Sequence, residues 1–174
     1  DLFASVVHHI IGQQISSKAQ ATIWQRLRKA LGSVSAASLA STTPESLRPL
    51  GIPARKAHYL LTFSQKVLSG EVDLKHIAQL SDKEAIASLC TLPGIGVWTA
   101  EMLLLFSLRR PDIVSFQDLG IQRGMRMVYK LKSIDKKTFV SIRARLSPYG
   151  SVASFYYWAV SGGACHLVDP AKTL

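Results

Sequence analysis

The sequence predicts an all-α fold: a compact bundle of about nine or ten short helices, with two lobes around a cleft. Apolar residues recur at helical spacing in nearly every segment. Ser, Thr and Pro stand where helices would begin and Gly where they would stop. Alternating strand patterns are almost absent outside the short PDIVSF. At 174 residues the chain can bury the core of one domain or of two small lobes. It shows no internal repeat and no low-complexity linker.

The elements follow in order. LFASVVHHII is an apolar opening stretch. SSKAQATIWQRLRKALG begins with serines suited to N-capping, carries Ala19, Ile23, Leu27 and Leu31 at helical spacing, and ends at Gly32. TTPESLRPLG places Thr42 three residues before Glu45, a capping-box pattern, with Pro44 in the first turn. PARKAHYLLTFSQKVLSG has Pro53 early and Gly70 late. SDKEAIASLC offers Ser81 and Glu84 as a second capping box. VWTAEMLLLFSL, LGIQRGMRMVY, KKTFVSIRARL and SVASFYYWAVS complete the helices.

Composition narrows the function. Lys and Arg total 21 against 11 acids, a net charge of +10, which favours a polyanionic partner, nucleic acid first. The basic residues are scattered, so a disordered basic tail does not explain them. The longest apolar run is far shorter than the roughly 18 residues of a membrane span, and no signal-peptide pattern is visible. Cys90 and Cys165 make neither a disulfide framework nor a four-cysteine metal site and suit reduced thiols in an intracellular protein. His8 and His9 are adjacent and have no further ligands at matching spacing, so they are expected to be ordinary side chains. The first residue is Asp1, so a preceding segment is allowed for.

The sharpest local signal is TLPGIGVWTA. A dinucleotide-binding fingerprint needs a third glycine where Thr99 stands, and a strand before it, whereas KEAIASLC is helical. A plain corner between helices would use the glycines only for positive φ and close packing. The third reading is a helix–hairpin–helix over residues 82–108, whose backbone N–H groups at the second helix grip a DNA phosphate. Gly94 and Gly96 would keep side chains from standing between backbone and phosphate, and Leu92 and Ile95 would anchor the turn. With the basic chain around it, this reading is preferred.

LPGIGVWTAEMLLLF followed by DIVSFQDLGIQRGM resembles the helix–hairpin–helix DNA glycosylase superfamily, with Asp118 lying 22 positions after Gly96. IIGQQISSKA and GIPARKAHYL are similar to the 3-methyladenine DNA glycosylase II branch, and the resemblance covers about residues 1–162. It implies a DNA repair enzyme that flips an alkylated, cationic purine such as 3-methyladenine or 7-methylguanine out of double-stranded DNA and hydrolyses its glycosidic bond. Asp118 is the expected catalytic carboxylate, stabilising an oxocarbenium-like sugar; the plainer role is to N-cap the helix LGIQRGM. In bifunctional relatives a lysine stands where this chain has Trp98, so lyase activity is not expected.

The resemblance also implies a base pocket with Trp98 and Trp158 as aromatic walls and Met102 where relatives can carry an aromatic. Phe3, Phe116, Tyr156 and Tyr157 are weaker candidates, more readily core residues. An indole face attracts a cationic base by about 0.5–2 kcal/mol. Gln13, Gln14 and Ile15 are wedge candidates for the gap left by the flipped base, although the glutamines would equally cap helix ends. Phosphate contacts fall to Gly94, Gly96, Val97 and Thr99, with Lys18, Arg55, Lys56 and Arg123 as further backbone contacts. Carbonyls of Cys90, Leu92 and Ile95 map to a site for Na+ or K+; no other cofactor and no iron–sulfur cluster are expected. The expected state is a monomer without membrane contact, in the cytoplasm or nucleoid of a prokaryote or the nucleus of a eukaryote. Two rivals remain: a helix–hairpin–helix binding module without chemistry, and a glycosylase for a deaminated or oxidised base.

Overall fold

The structure, a computed structural model, describes residues 1–172. Among them are eleven α-helices and two 3-10 turns, and no strand. The count exceeds the expected one because two further short helices, α3 (Ala36–Ala40) and α6 (Leu74–Ile77), lie between the expected ones, among which TTPESLRPLG forms the short α4 (Pro44–Leu47). The chain divides into two units, Asp1–Leu103 and Leu104–Leu174.

In the first unit, α1 (Leu2–Gly12) is the core helix, burying Phe3, Val6, Val7, Ile10 and Ile11. Each such large side chain contributes about 1.5–3 kcal/mol on burial. Phe3 stacks on Phe63 of α5 (Ala54–Leu68), with ring centroids 4.8 Å apart, which makes it a core residue. The amphipathic α2 (Ser17–Leu31) begins at its N-cap Ser16, ends at Gly32 as the sequence indicates, and buries Leu27. The Ser81–Glu84 capping box forms at the start of α7 (Asp82–Leu89).

The other capping box sits one residue later than expected. Thr42 donates its hydroxyl back to the Leu39 carbonyl at 2.7 Å, and Thr43 pairs reciprocally with Ser46. Pro44 sets this register. Having no N–H and a fixed φ, it occupies the first helical position, so the N-cap must be residue 43.

The helix α8 (Val97–Phe106) is apolar nearly all round, with Val97, Trp98 and Phe106 exposed. Within the first unit it buries Ala100, Met102 and Leu103.

The second unit is built on α9 (Leu119–Tyr129), α10 (Lys136–Leu146) and α11 (Gly150–Ser161). Its core joins Val114, Ile121, Met125, Phe139, Ile142 and Tyr157. α9 and α11 cross closely because Gly124 has no side chain: a Cβ there would lie 2.2 Å from the Tyr157 carbonyl oxygen. PDIVSF forms no strand but a loop held to α11 by side chains. Ser151 Oγ accepts from Ile113 N–H at 3.0 Å, and Ser154 Oγ donates to the Ile113 carbonyl at 2.8 Å. Asp112 accepts from Gly150 N–H at 3.1 Å and from the Ser147 hydroxyl at 2.7 Å.

Arg126 grips Asp169 through Nε and Nη2 at 3.2 and 2.9 Å, tying the segment after α11 to α9. These hydrogen bonds, aided by the charges of Arg126 and Arg123, hold the Asp169 carboxyl below the usual carboxylate range.

Two outcomes follow from this packing. Gly124→Ala drives a methyl group into backbone that no rotamer change can clear, so stability falls by about 3 kcal/mol in chemical denaturation. A carboxyl with a depressed folded pKa contributes stability above its unfolded value, and that contribution is lost as pH falls through the folded one. Asp169→Asn therefore lowers Tm near neutral pH, and the gap from the parent closes in thermal melts taken below about pH 4.

Candidate functional site

The hairpin runs from Cys90, the C-cap of α7, to Val97 at the start of α8. Its apolar anchors are in place: Leu92 and Ile95 are buried, and Ile95 N–H donates to the Leu92 carbonyl at 3.1 Å. The two glycines serve different needs. Gly94 has φ +82°, and a Cβ on it would lie 2.5 Å from the Tyr59 ring, so the fold itself requires glycine there. Gly96 has no positive φ, and a Cβ on it would meet nothing within 4 Å. The fold has no steric need of glycine at 96. Its carbonyl accepts from Ala100 N–H at 2.9 Å, so it takes the N-cap position of α8 without a capping side chain. The space beside Gly96 is open.

Beside the hairpin lies a cavity of about 470 Å³. Gln13 and Gln14 line it from the end of α1, Arg55 and Tyr59 from α5, and Gly96 and Trp98 from the hairpin side. Trp98 is 40% exposed, so its indole face is accessible. Thr99 also lines the cavity but is almost buried, and Val97 is exposed. Met102, one turn beyond Trp98, is 2% exposed and packed in the core.

The wedge candidates separate. Gln13 donates through Nε2 to the Gly94 carbonyl at 2.6 Å, bracing the end of α1 against the hairpin. Gln14 is exposed and held at φ +58°, with exposed Ile15 next to it. The basic candidates separate as well. Lys56 Nζ donates to the Ile11 and Gln13 carbonyls, both at 2.7 Å, and so completes the C-terminus of α1; burial lowers its pKa. Arg55 is exposed, and its Nε donates to the Tyr59 hydroxyl at 2.6 Å. Lys18 is exposed near the start of α2, while Arg123 approaches Asp169 at 3.7 Å. Burial lowers the pKa of both His8 and His9, and no metal-ligating group of three or more exists among the described residues.

In the second unit Asp118 is the N-cap of α9, so the plainer sequence role is real. Its Oδ1 accepts from Ile121 N–H at 2.9 Å and from the Trp158 indole N–H at 2.8 Å. The residue is only 8% exposed. Around it lie aromatic rings: Phe106 stacks on Trp158 at 5.7 Å and 13°, and Phe155 meets Trp158 edge-on at 5.8 Å. Phe106 and Phe155 are each half exposed. Sequence reasoning had not singled out these two rings; Phe155 and Trp158 at i, i+3 on one helix were the available signal. Tyr156 is exposed, Tyr157 is in the core, and Phe116 packs on Phe139.

The chain matches the family described as HhH-GPD superfamily base excision DNA repair protein over residues 7–148. It is 31% identical over 169 residues to DNA-3-methyladenine glycosylase 1 of Schizosaccharomyces pombe, covering 91% of this chain and 72% of that protein. The crystal structure of a DNA-3-methyladenine glycosidase from Bacillus halodurans superposes with a TM-score of 0.85 at 33% identity, covering 94% of this chain and 77% of that one. A 3-methyladenine DNA glycosylase of S. pombe in complex with abasic DNA superposes with a TM-score of 0.77 at 30% identity, covering 94% and 82%.

The hairpin glycines predict opposite phenotypes. Gly94→Ala loses about 2 kcal/mol or more from its left-handed backbone and the Tyr59 ring. Gly96→Ala, a slightly poorer N-cap, changes stability by less than about 1 kcal/mol. Its deficit appears instead in duplex-oligonucleotide affinity, measured by fluorescence anisotropy beside thermal melts of both variants.

Proposed function

The chain belongs to the HhH-GPD superfamily of base excision DNA repair proteins, and on that premise we propose that it is a monofunctional DNA glycosylase acting on alkylated purines. The observation that carries the reading is Asp118: a nearly buried carboxylate, fixed by two N–H donors and set among aromatic rings. Its relatives named as 3-methyladenine glycosylases support the substrate class.

A 3-methyladenine or 7-methylguanine base carries positive charge before reaction. When the C1′–N bond breaks, its electron pair neutralises the base, so the leaving group needs no general acid. Positive charge then builds on the sugar, where the Asp118 carboxylate stabilises it. Water adds at C1′ and releases its proton, leaving an abasic site. Trp98 offers an exposed indole face to a cationic base. Because position 98 is Trp and not Lys, no amine stands there to form a Schiff base, and strand cleavage is not part of the reaction.

The start of α8 at Gly96 and Val97, with open space beside Gly96, receives a backbone phosphate of double-stranded DNA. Gln14, exposed where Gln13 is committed, is the side chain that fills the gap left by the flipped base, and its amide can hydrogen-bond the orphaned partner. The reaction uses no redox or organic cofactor. The carbonyls of Cys90, Leu92 and Ile95 are three neutral oxygen donors, a set chemically suited to Na+ or K+. A cation held there would add positive charge at the phosphate grip.

The test is release of methylated purines from alkylated duplex DNA, with strand breaks scored before and after alkali. The parent should release 3-methyladenine and 7-methylguanine and give breaks only after alkali. Asp118→Asn should lower the single-turnover rate about 100-fold or more while still binding DNA. DNA binding without release by the parent would instead indicate a binding module or a glycosylase for another lesion.

A further inference from the structure

We infer that Trp158 is a positioning residue for Asp118 and not a wall of the base pocket; the inference rests on the catalytic role proposed for Asp118. Three contacts decide how the indole is used. Its Nε1–H donates to Asp118 Oδ1 at 2.8 Å. Phe106 lies stacked over the ring at 5.7 Å and 13°, and Phe155 meets it edge-on at 5.8 Å. One face and the polar edge of the indole are therefore committed within the protein. Trp158 is half-buried, and the more exposed rings beside Asp118 are those of Phe106 and Phe155, at 51% and 50% exposure.

The indole suits this task chemically. It is a donor only, with no lone pair to accept from a protonated carboxyl. Together with Ile121 N–H it places two donors on the same oxygen, which fixes one orientation of the carboxyl group. A reaction that builds positive charge on the substrate requires an anion held in place beforehand, without reorganisation. The aromatic clamp supplies that rigidity, since the indole cannot rotate without losing its contact with Phe106.

Gly120 completes the arrangement. A Cβ at this position would lie 2.7 Å from Trp158 Cδ1 and 3.1 Å from Asp118 Oδ1. A side chain at 120 would thus push directly on the hydrogen bond. Glycine in the first turn of α9 brings no helix propensity of its own, so the space it leaves is its contribution.

Trp158→Phe isolates the inference, because it keeps a ring against Phe106 and Phe155 and removes only the donor and part of the ring area. The readout is affinity for duplex DNA carrying a cationic pyrrolidine in place of the lesion sugar, relative to DNA carrying a neutral tetrahydrofuran. The pyrrolidine mimics the charge of the transition state; the tetrahydrofuran mimics only its shape. The parent should prefer the cationic analogue. Trp158→Phe should cut that preference and the single-turnover rate by about tenfold each, with tetrahydrofuran affinity and Tm little changed. Gly120→Ala, which retains the indole but displaces it, should show the same selective loss.

Undiminished preference and rate in Trp158→Phe would overturn the inference. So would an equal loss of affinity for both analogues, which is what a base wall or a general packing role gives. Asp118→Asn serves as the separate control. If it keeps the cationic preference and full activity, the catalytic reading itself fails; if it loses both while Trp158→Phe does not, only the role of Trp158 fails.

Discussion

The second unit depends on the close crossing of α9 and α11. Gly124 lets the backbone of α11 lie where a methyl group would otherwise be, within 2.2 Å of the Tyr157 carbonyl oxygen. The next residue along α11 is Trp158, so the contact that sets the helix spacing also brings the indole to Asp118. Gly120, one turn earlier on α9, opens the matching space on the same helix. Packing and site are thus one arrangement: the helix that carries the carboxylate is located by the helix that carries its hydrogen-bond donor. The loop leading to Asp118 is secured by the same helix, through Ser151 and Ser154 on the Ile113 backbone.

A different economy governs the first unit. Its polar side chains close backbone groups that helix ends leave open. Lys56 completes the carbonyls of Ile11 and Gln13, and Gln13 in turn completes the carbonyl of Gly94. The end of α1, α5 and the hairpin, distant in sequence, are thereby tied together. Exposed there are the indole of Trp98 and the side chain of Gln14, whose φ is +58°, and the space beside Gly96 is open. These face the cavity where an anionic, stacked polymer would lie, which matches the positive charge of the chain.

The helices and most of their ends were legible from local chemistry. Ser16, Gly32 and the Ser81–Glu84 pair act within a few residues of themselves, and the structure uses each as its residue type suggests. The Thr42 expectation missed by one residue because Pro44 outranks a hydroxyl in setting where the helix begins. Asp118 and its capping role were also readable, since both depend on a helix that starts directly after it.

Other features depended on contacts between distant parts of the chain. Nothing local distinguishes Gln13 from Gln14; the difference is the Gly94 carbonyl, 81 residues away, that only one of them reaches. Lys56 reads as a surface cation until α1 is found to end beside it. Met102 and Trp98 stand one turn apart on an apolar helix, and packing alone buries the first and exposes the second. The Trp158 contacts with Phe106 and with Asp118, 40 residues away, are equally invisible in the local sequence. The sequence by itself determined most helical elements, the hairpin and the carboxylate that caps α9, because propensity, capping and turn chemistry act over a few residues. Tertiary structure alone decided which of the polar and aromatic side chains are engaged inside the protein and which stay exposed, because the partner of a donor or a ring face is chosen by packing.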